Sequence, residues 1–248
     1  MATYILIHGS WHGGWCFDDV KAMLEAQGHS VIAPDLPGMG GDEAELRAVT
    51  LQGWAEFAAD LCRTAPQRPV ILAGHSRGGL VISQAAEIAP EAVDALVYIC
   101  AMMLPNGMSR AEFKTLEEPN PDFDAMIIPI YDDAGTLVDP TLAPPVFAQL
   151  SPLEKVEAAM ARLVAEPKGL RSTPMQVTAE RFGSVPHTYI ECTEDLTIPL
   201  SSQRLMQELV PGARVVTLDA DHSPFLSRPQ ELVDALLAAA PEKKGGLE

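Results

Sequence analysis

Gly74-His75-Ser76-Arg77-Gly78 sets a serine between two glycines, directly after the apolar run Val70-Ile71-Leu72-Ala73 and before a stretch of small, helix-compatible residues. That arrangement fits a nucleophile. A serine lifted on a sharp strand-to-helix turn has its hydroxyl exposed, with glycine wherever a Cβ would collide. A G-x-S-x-G match arises by chance at roughly 3 in 10,000 positions at average Gly and Ser usage, and the strand-before, helix-after context makes an idle match rarer still. The turn also places Ser76 at a helix start, where free N–H groups favour developing negative charge.

A serine hydroxyl needs an adjacent base to attack at neutral pH. Six histidines are available: His29 and His187 begin strands, His8 and His12 lie in the first loop, and His75 adjoins the serine with its side chain turned the other way. His222 follows the last strand, in Leu218-Asp219-Ala220-Asp221-His222-Ser223. That is the carboxyl edge of a parallel sheet, where open α/β folds bind ligands. His222 is the expected base.

An acid must hold the imidazole in the right tautomer. Glu191, Glu194 and Asp195 follow a late strand, and Asp195 opens the edge loop Asp195-Leu196-Thr197-Ile198-Pro199. Asp219 and Asp221 share the base's own segment and are expected to face solvent. The strand ending at Cys100 leads only into Ala101-Met102-Met103, which holds no acid. Asp195 is the expected third member. The oxyanion of an acyl-transfer intermediate needs two N–H donors. The backbone N–H of Arg77 supplies one. The loop His8-Gly9-Ser10-Trp11-His12-Gly13-Gly14-Trp15 supplies the other, placed by position at Ser10.

These residues need a scaffold, and the pattern around them is α/β. Strand signals at 3–7, 30–33, 69–73 and 93–100 alternate with helix signals at 17–27, after the N-cap candidate Thr50, and at 79–89. Continuous apolar strands mean a mostly parallel sheet flanked by helices and covered on both faces. From 105 to 178 the alternation stops; the stretch is rich in Pro and Met, shows no clean strand, and offers one amphipathic helix at 152–165. Alternation resumes at 187–191, 201–209, 214–218 and 230–239. The expected organisation is a core of 1–104 and 179–241, a mainly helical cap inserted at 105–178, and a tail at 242–248. An insertion of that length is usually functional. Met102, Met103, Leu104, Phe113, Met126, Ile127, Ile128 and Tyr131, with Gly9 and Trp11 from the first loop, are the pocket candidates.

Composition narrows the partners. The net charge of −17 repels phosphate backbones and anionic membrane surfaces, so neither nucleic acid nor membrane is an expected partner. No apolar stretch approaches the ~18 residues of a membrane span. Only Ala2 and Thr3 separate Met1 from the apolar run at Tyr4, so no signal peptide is read. The four cysteines, Cys16, Cys62, Cys100 and Cys192, are too widely spaced for a zinc pattern and read as reduced thiols of a cytoplasmic protein. Neither H-E-x-x-H nor a G-x-G-x-x-G after a strand is present, so no metal and no cofactor is expected. The expected partner is a small-molecule ester, and a homodimer stays open.

At this point the motifs resemble a known family. Ile5-Leu6-Ile7-His8-Gly9 with His12-Gly13-Gly14-Trp15, Ala33-Pro34-Asp35-Leu36-Pro37-Gly38-Met39-Gly40, Gly74-His75-Ser76-Arg77-Gly78-Gly79, Asp195-Leu196-Thr197-Ile198-Pro199 and Asp221-His222-Ser223-Pro224 are similar to those of the α/β-hydrolase superfamily. The branch resembled contains plant methyl esterases, hydroxynitrile lyases and bacterial small-ester hydrolases of the pyrethroid type. The resemblance implies an α/β-hydrolase fold, a triad Ser76–Asp195–His222, a helical cap over the site and no cofactor. The lyases of that branch carry a threonine after the first-strand histidine and a lysine after the catalytic histidine. Gly9 and Ser223 stand there, as in the esterases. The expected activity is serine carboxylic ester hydrolysis through an acyl-enzyme, on small to mid-sized apolar esters. The alternatives are a lyase or carbon–carbon bond hydrolase using the same triad, or a ligand receptor with a slow triad.

Overall fold

The computed structural model describes residues 1–241, and the tail read at 242–248 lies outside the described residues. Nine strands are present among them: β1 (Thr3–Ile7), β2 (Ser30–Ile32), β3 (Val70–His75), β4 (Ala95–Ile99), β5 (Ile127–Ile130), β6 (Gly135–Val138), β7 (Glu166–Pro167), β8 (His187–Cys192) and β9 (Arg214–Leu218). Six of them form one sheet in the order β2-β1-β3-β4-β8-β9, with every pairing parallel.

Successive side chains of a strand face opposite sides of its sheet. Ile5, Ile7 and Leu72 therefore pack into one layer, with Leu51, Trp54 and Met206 of the covering helices. Tyr4, Leu6, Ile71 and Ala73 pack into the other, with Val20, Leu24 and Leu232. A strand buried on both faces has no polar side to show, which is why these strands read as unbroken apolar runs.

Local signals set the helix ends. Thr50 caps the helix Leu51–Arg63 by accepting the Gly53 N–H at 3.0 Å. The expected helix at 17–27 starts with a tight 3-10 turn, Gly14–Phe17, and continues as Asp18–Ala26. A further helix, Glu43–Ala48, carries a capping box in which Asp42 and Glu45 exchange hydrogen bonds.

The cap carries helices at Arg110–Lys114, Pro121–Ala125, Pro144–Phe147 and Leu153–Met160, but it also holds strands, which the sequence did not suggest. β5 and β6 form an antiparallel hairpin, and β7 joins β6 to make a second, three-stranded sheet. Its turn is made by Tyr131, Asp132 and Asp133, all with positive φ, and Pro129 sits inside β5. Neither feature carries the Asn-Gly or alternating signature of a hairpin. The helix expected over 152–165 is Leu153–Met160. Beyond it the chain is drawn out against the core: Val164 N–H donates to Trp11 O at 2.9 Å, and Gly40 N–H to Ala165 O at 2.8 Å. Among the described residues no helix is long and apolar enough to cross a membrane.

Candidate active site

After β1 the chain crosses to β2 on one side of the sheet; after β3 it crosses to β4 on the other. The loops leaving β1 and β3 part there and open a crevice at their carboxyl ends. Residues 8–15 and Ser76 sit at its mouth.

Ser76 is held in an unusual backbone state, with φ of 53°. Few non-glycine residues adopt that region, and surrounding structure must over-determine it. Here the Ser76 N–H donates to Ile99 O at 3.2 Å, while its carbonyl accepts from Met102 N–H at 2.9 Å and Gly79 N–H at 3.1 Å. The flanking glycines are steric. A Cβ on Gly74 would lie 2.6 Å from Gly78 O, and one on Gly78 would lie 2.6 Å from Ile7 O.

The structure brings the three sequence-predicted residues into one hydrogen-bonded line. Ser76 Oγ is 3.0 Å from His222 Nε2, and His222 Nδ1 is 2.7 Å from Asp195 Oδ2. Asp195 is buried, and its Oδ1 is occupied by the N–H groups of Thr197 and Ile198, both at 2.8 Å. That leaves Oδ2 for the ring. An imidazole donating Nδ1–H to a carboxylate keeps Nε2 free to accept a proton from the serine. Behind the ring, His75 Nε2–H donates to the carbonyl of His222 at 2.7 Å. Burial pushes the pKa of His75 well below its ordinary value, so this neighbour stays neutral.

His75, Cys100 and His222 place ligand-type atoms within 4.8 Å of one another. Three of the four ring nitrogens are engaged, both of His222 within the triad and His75 Nε2 on the His222 carbonyl, while His75 Nδ1 has no partner among the described residues. Both nitrogens of His222 are thus committed to Ser76 and Asp195.

The Ser10 and Arg77 backbone N–H groups find no protein acceptor among the described residues, and both residues line the same cavity as Ser76 and His222. The loop around Ser10 is fixed by histidines. His8 Nε2 accepts the Leu36 N–H at 3.0 Å, so its proton sits on Nδ1, which donates to Gly9 O at 2.9 Å. His12 Nδ1–H donates to Ser10 O at 2.7 Å. Burial lowers the pKa of His8 to about 3 and that of His12 to about 4, so both keep these tautomers at neutral pH.

The cavity measures about 350 Å³. Of the predicted pocket residues, Trp11, Met102 and Ile127 lie on its wall. The others do not. Met103, Leu104 and Phe113 are buried in the helix layer of the core, and Met126 in the cap's own apolar cluster. Ile128 and Tyr131 are exposed on the hairpin. Gly9 lies beneath the serine; a Cβ there would sit 2.7 Å from Ser76 Cβ and 2.9 Å from His75 Nδ1. Without a strand assignment, the alternation that sends Ile127 inward and Ile128 outward could not be read. Sequence reasoning missed Phe123, Phe147, Leu170 and Ile198 on the wall.

Two buried carboxylates were also missed in their roles. Asp221, expected to face solvent, is fully buried. Its Oδ2 accepts from Leu150 N–H and Ser151 Oγ–H of the cap at 2.9 and 3.0 Å; its Oδ1 accepts from Ser223 N–H and Ser227 Oγ–H at 3.1 and 2.7 Å. Glu166 on β7 takes Arg77 Nη1 and Arg171 Nη2, each at 2.7 Å. Burial alone would raise the Glu166 pKa, but the two guanidinium groups outweigh it and hold the carboxyl below its ordinary value. The capping-type spacing that exposes a helix start has no counterpart for such long-range pairs.

With this geometry in view, comparison with known proteins decides the family. A model described as the alpha/beta hydrolase family matches residues 4–235. The chain is an α/β hydrolase. It is 34% identical to Methylesterase 7 of Arabidopsis thaliana over 96% of this chain and 95% of that protein. It is 33% identical to a pyrethroid hydrolase of Sphingobium wenxiniae over 94% of this chain and 85% of that one. The crystal structure of a pyrethroid hydrolase from Sphingobium faniae superposes on this α/β hydrolase with a TM-score of 0.86, at 31% identity, covering 96% of each chain.

Proposed function

We propose that this α/β hydrolase is a serine carboxylic ester hydrolase acting on small to mid-sized apolar esters. The observation that carries the reading is the line Ser76–His222–Asp195 beside two unpaired backbone N–H groups. Relatives named for methyl ester and pyrethroid hydrolysis support it. So does a cavity walled by Trp11, Met102, Phe123, Phe147 and Leu170. The core of 1–104 and 179–241 carries the reacting groups, and the cap at 105–178 roofs the cavity. The unpaired, buried cysteines support a reducing, cytoplasmic setting.

In this mechanism Ser76 Oγ bonds to the ester carbonyl carbon while His222 Nε2 takes its proton. The N–H groups of Ser10 and Arg77 receive the charge that develops on the carbonyl oxygen. The C–O bond to the alcohol breaks, and the alcohol leaves with the proton returned by His222. Water then repeats the cycle on the acyl-enzyme, giving the carboxylic acid and free Ser76.

Cyanohydrin cleavage would instead expel an anion and calls for a cation beside the catalytic histidine in a site that excludes water. Ser223 supplies none, and the guanidinium of Arg77 is committed to Glu166. A panel of methyl, ethyl, aryl and lactone esters, assayed for acid release beside mandelonitrile assayed for benzaldehyde, tests the reading. Ester turnover without benzaldehyde is expected. Ser76-dependent benzaldehyde with no ester turnover would replace the esterase by a lyase.

A further inference from the structure

The Ser10 N–H belongs to the Gly9–Ser10 peptide. A trans peptide is planar, with its C=O and N–H pointing in opposite directions. Whatever holds the Gly9 carbonyl therefore aims the Ser10 N–H. Two groups hold it: His8 Nδ1–H at 2.9 Å and Arg77 Nη2–H at 3.4 Å. Arg77 thus touches both halves of the oxyanion hole, offering one N–H from its own backbone and steadying the peptide that carries the other.

The Arg77 guanidinium is itself fixed from the cap. Its Nη1 donates to Glu166 Oε2 at 2.7 Å, and its carbon lies 4.5 Å above the ring of Trp54. Glu166 is only 1% exposed. The same carboxylate reaches the far side of Ser10 through Thr136. Trp11 Nε1–H donates to Thr136 Oγ1 at 3.1 Å, and Thr136 Oγ1–H donates to Glu166 Oε1 at 3.4 Å. Gly9 and Trp11, on either side of Ser10, are therefore each tied through one intermediary to one cap carboxylate. An elbow needs only the backbone N–H of its second residue. A long cation buried there, at the expense of its hydration, calls for a further role.

We propose that Glu166 and Arg77 form a strut running from the cap to the oxyanion loop, and that both are positioning residues for the oxyanion hole. The inference rests on the ester-hydrolase reading above. It makes cap docking and transition-state stabilisation one event: when β7 seats, both N–H donors come into line.

Glu166→Gln, Arg77→Lys and the double variant Arg77→Met/Glu166→Gln test the strut. Each is assayed for kcat and KM on a short p-nitrophenyl ester and for inhibition by an aryl trifluoromethyl ketone, whose adduct with Ser76 carries an oxyanion. Loss of an oxyanion donor costs about a hundred- to a thousandfold in kcat, so a misaimed one should cost roughly ten- to a hundredfold, with KM within about threefold. Ketone affinity should fall by the same factor. Arg77→Lys should keep the ion pair and stability yet still lose kcat, because an ammonium lacks the planar fork that spans Glu166 and Gly9. The double variant should be no worse than the poorer single one. It also removes both buried charges together, so it remains a test where a single variant, left with one unpaired charge, fails to fold. Undiminished kcat in folded variants, a rise in KM at constant kcat, or losses that multiply would overturn the strut. A wild-type protein inert toward every ester would sink the ester reading and the strut together; an active wild type with undiminished Glu166→Gln sinks the strut alone.

Discussion

Ser76, Asp195 and His222 stand at the ends of β3, β8 and β9, in a parallel sheet whose central strands are buried along their length. Phe123, Ile127 and Leu170, which roof the same cavity, come from elements of five, four and four residues. Strand ends in a sheet covered on both faces cannot drift, because every neighbour shares the register. Short elements of an insertion hold their place only through what they touch. In this protein they touch two buried carboxylates: Glu166, reaching down to Arg77, and Asp221, reaching up from beside His222. The floor is set by topology and the roof by a few polar clasps. Changes in the floor should abolish chemistry, and changes in the roof should retune it.

The largest effects belong to the floor. Ser76→Ala should lower ester turnover by at least about a thousandfold while near-UV circular dichroism stays native, with residual rate from the oxyanion hole alone. Asp195→Asn should follow at roughly a thousandfold, because the ring then loses its preferred tautomer. Asp219, exposed on the neighbouring loop, should tolerate Asn with kcat within about twofold. A reversed ranking of Asp195 and Asp219 would move the acid to the last loop.

The roof should respond in stability first. Asp221→Ala strands four donors that now share one buried carboxylate, which should cost about 2–4 kcal/mol in urea unfolding. An Asp221→Ala protein as stable as wild type would show that the cap is held elsewhere. Next come two adjacent hairpin residues. Ile127→Ala should raise KM for an apolar ester by about three- to tenfold, and Ile128→Ala should leave it unchanged, because only Ile127 faces the cavity. Equal effects would mean that the hairpin register differs in solution.

A further effect, spread over a wide range of conditions, is one of pH. His12 titrates at about 4 in the folded chain against an ordinary value of 6.5, mainly through burial. Between those values the unfolded chain binds a proton that the folded one refuses. Stability must therefore fall as pH falls through that window, by up to about 1.4 kcal/mol per pH unit for this group. His12→Asn should reduce the slope of the urea-midpoint profile between pH 6.5 and 4 by one group's share, leaving the share of His8 and His75, which burial depresses as well. An unchanged slope would remove His12 from the account.

The same division governs what the sequence discloses. The floor was legible because its determinants are local: an apolar run, a glycine pair that a Cβ would break, a histidine after the last strand, and an N-cap at Thr50. The roof was not. The hairpin of β5 and β6 hides behind Pro129 and a turn of three left-handed residues without glycine, so the inward Ile127 and the outward Ile128 looked alike. The helix expected to reach 165 stops at Met160 because Val164 and Ala165 pair with Trp11 and Gly40, over a hundred positions away. Asp221 and Glu166 take partners as far as 71 and 89 positions away, in Leu150 and Arg77, and a carboxylate's burial cannot be read from its neighbours in the chain. Met126 and Phe113, apolar and well placed in sequence, went into packing rather than onto the wall.

The central claim is that Ser76 carries the acyl group. Mixing the protein with a p-nitrophenyl ester, quenching in acid within the first turnovers and weighing the proteolytic peptides tests it most directly. The account predicts a burst of about one equivalent of nitrophenol and a mass increase equal to the acyl group on the peptide containing Ser76, absent from Ser76→Ala. Steady hydrolysis with no adduct, or an adduct on another residue, would contradict it.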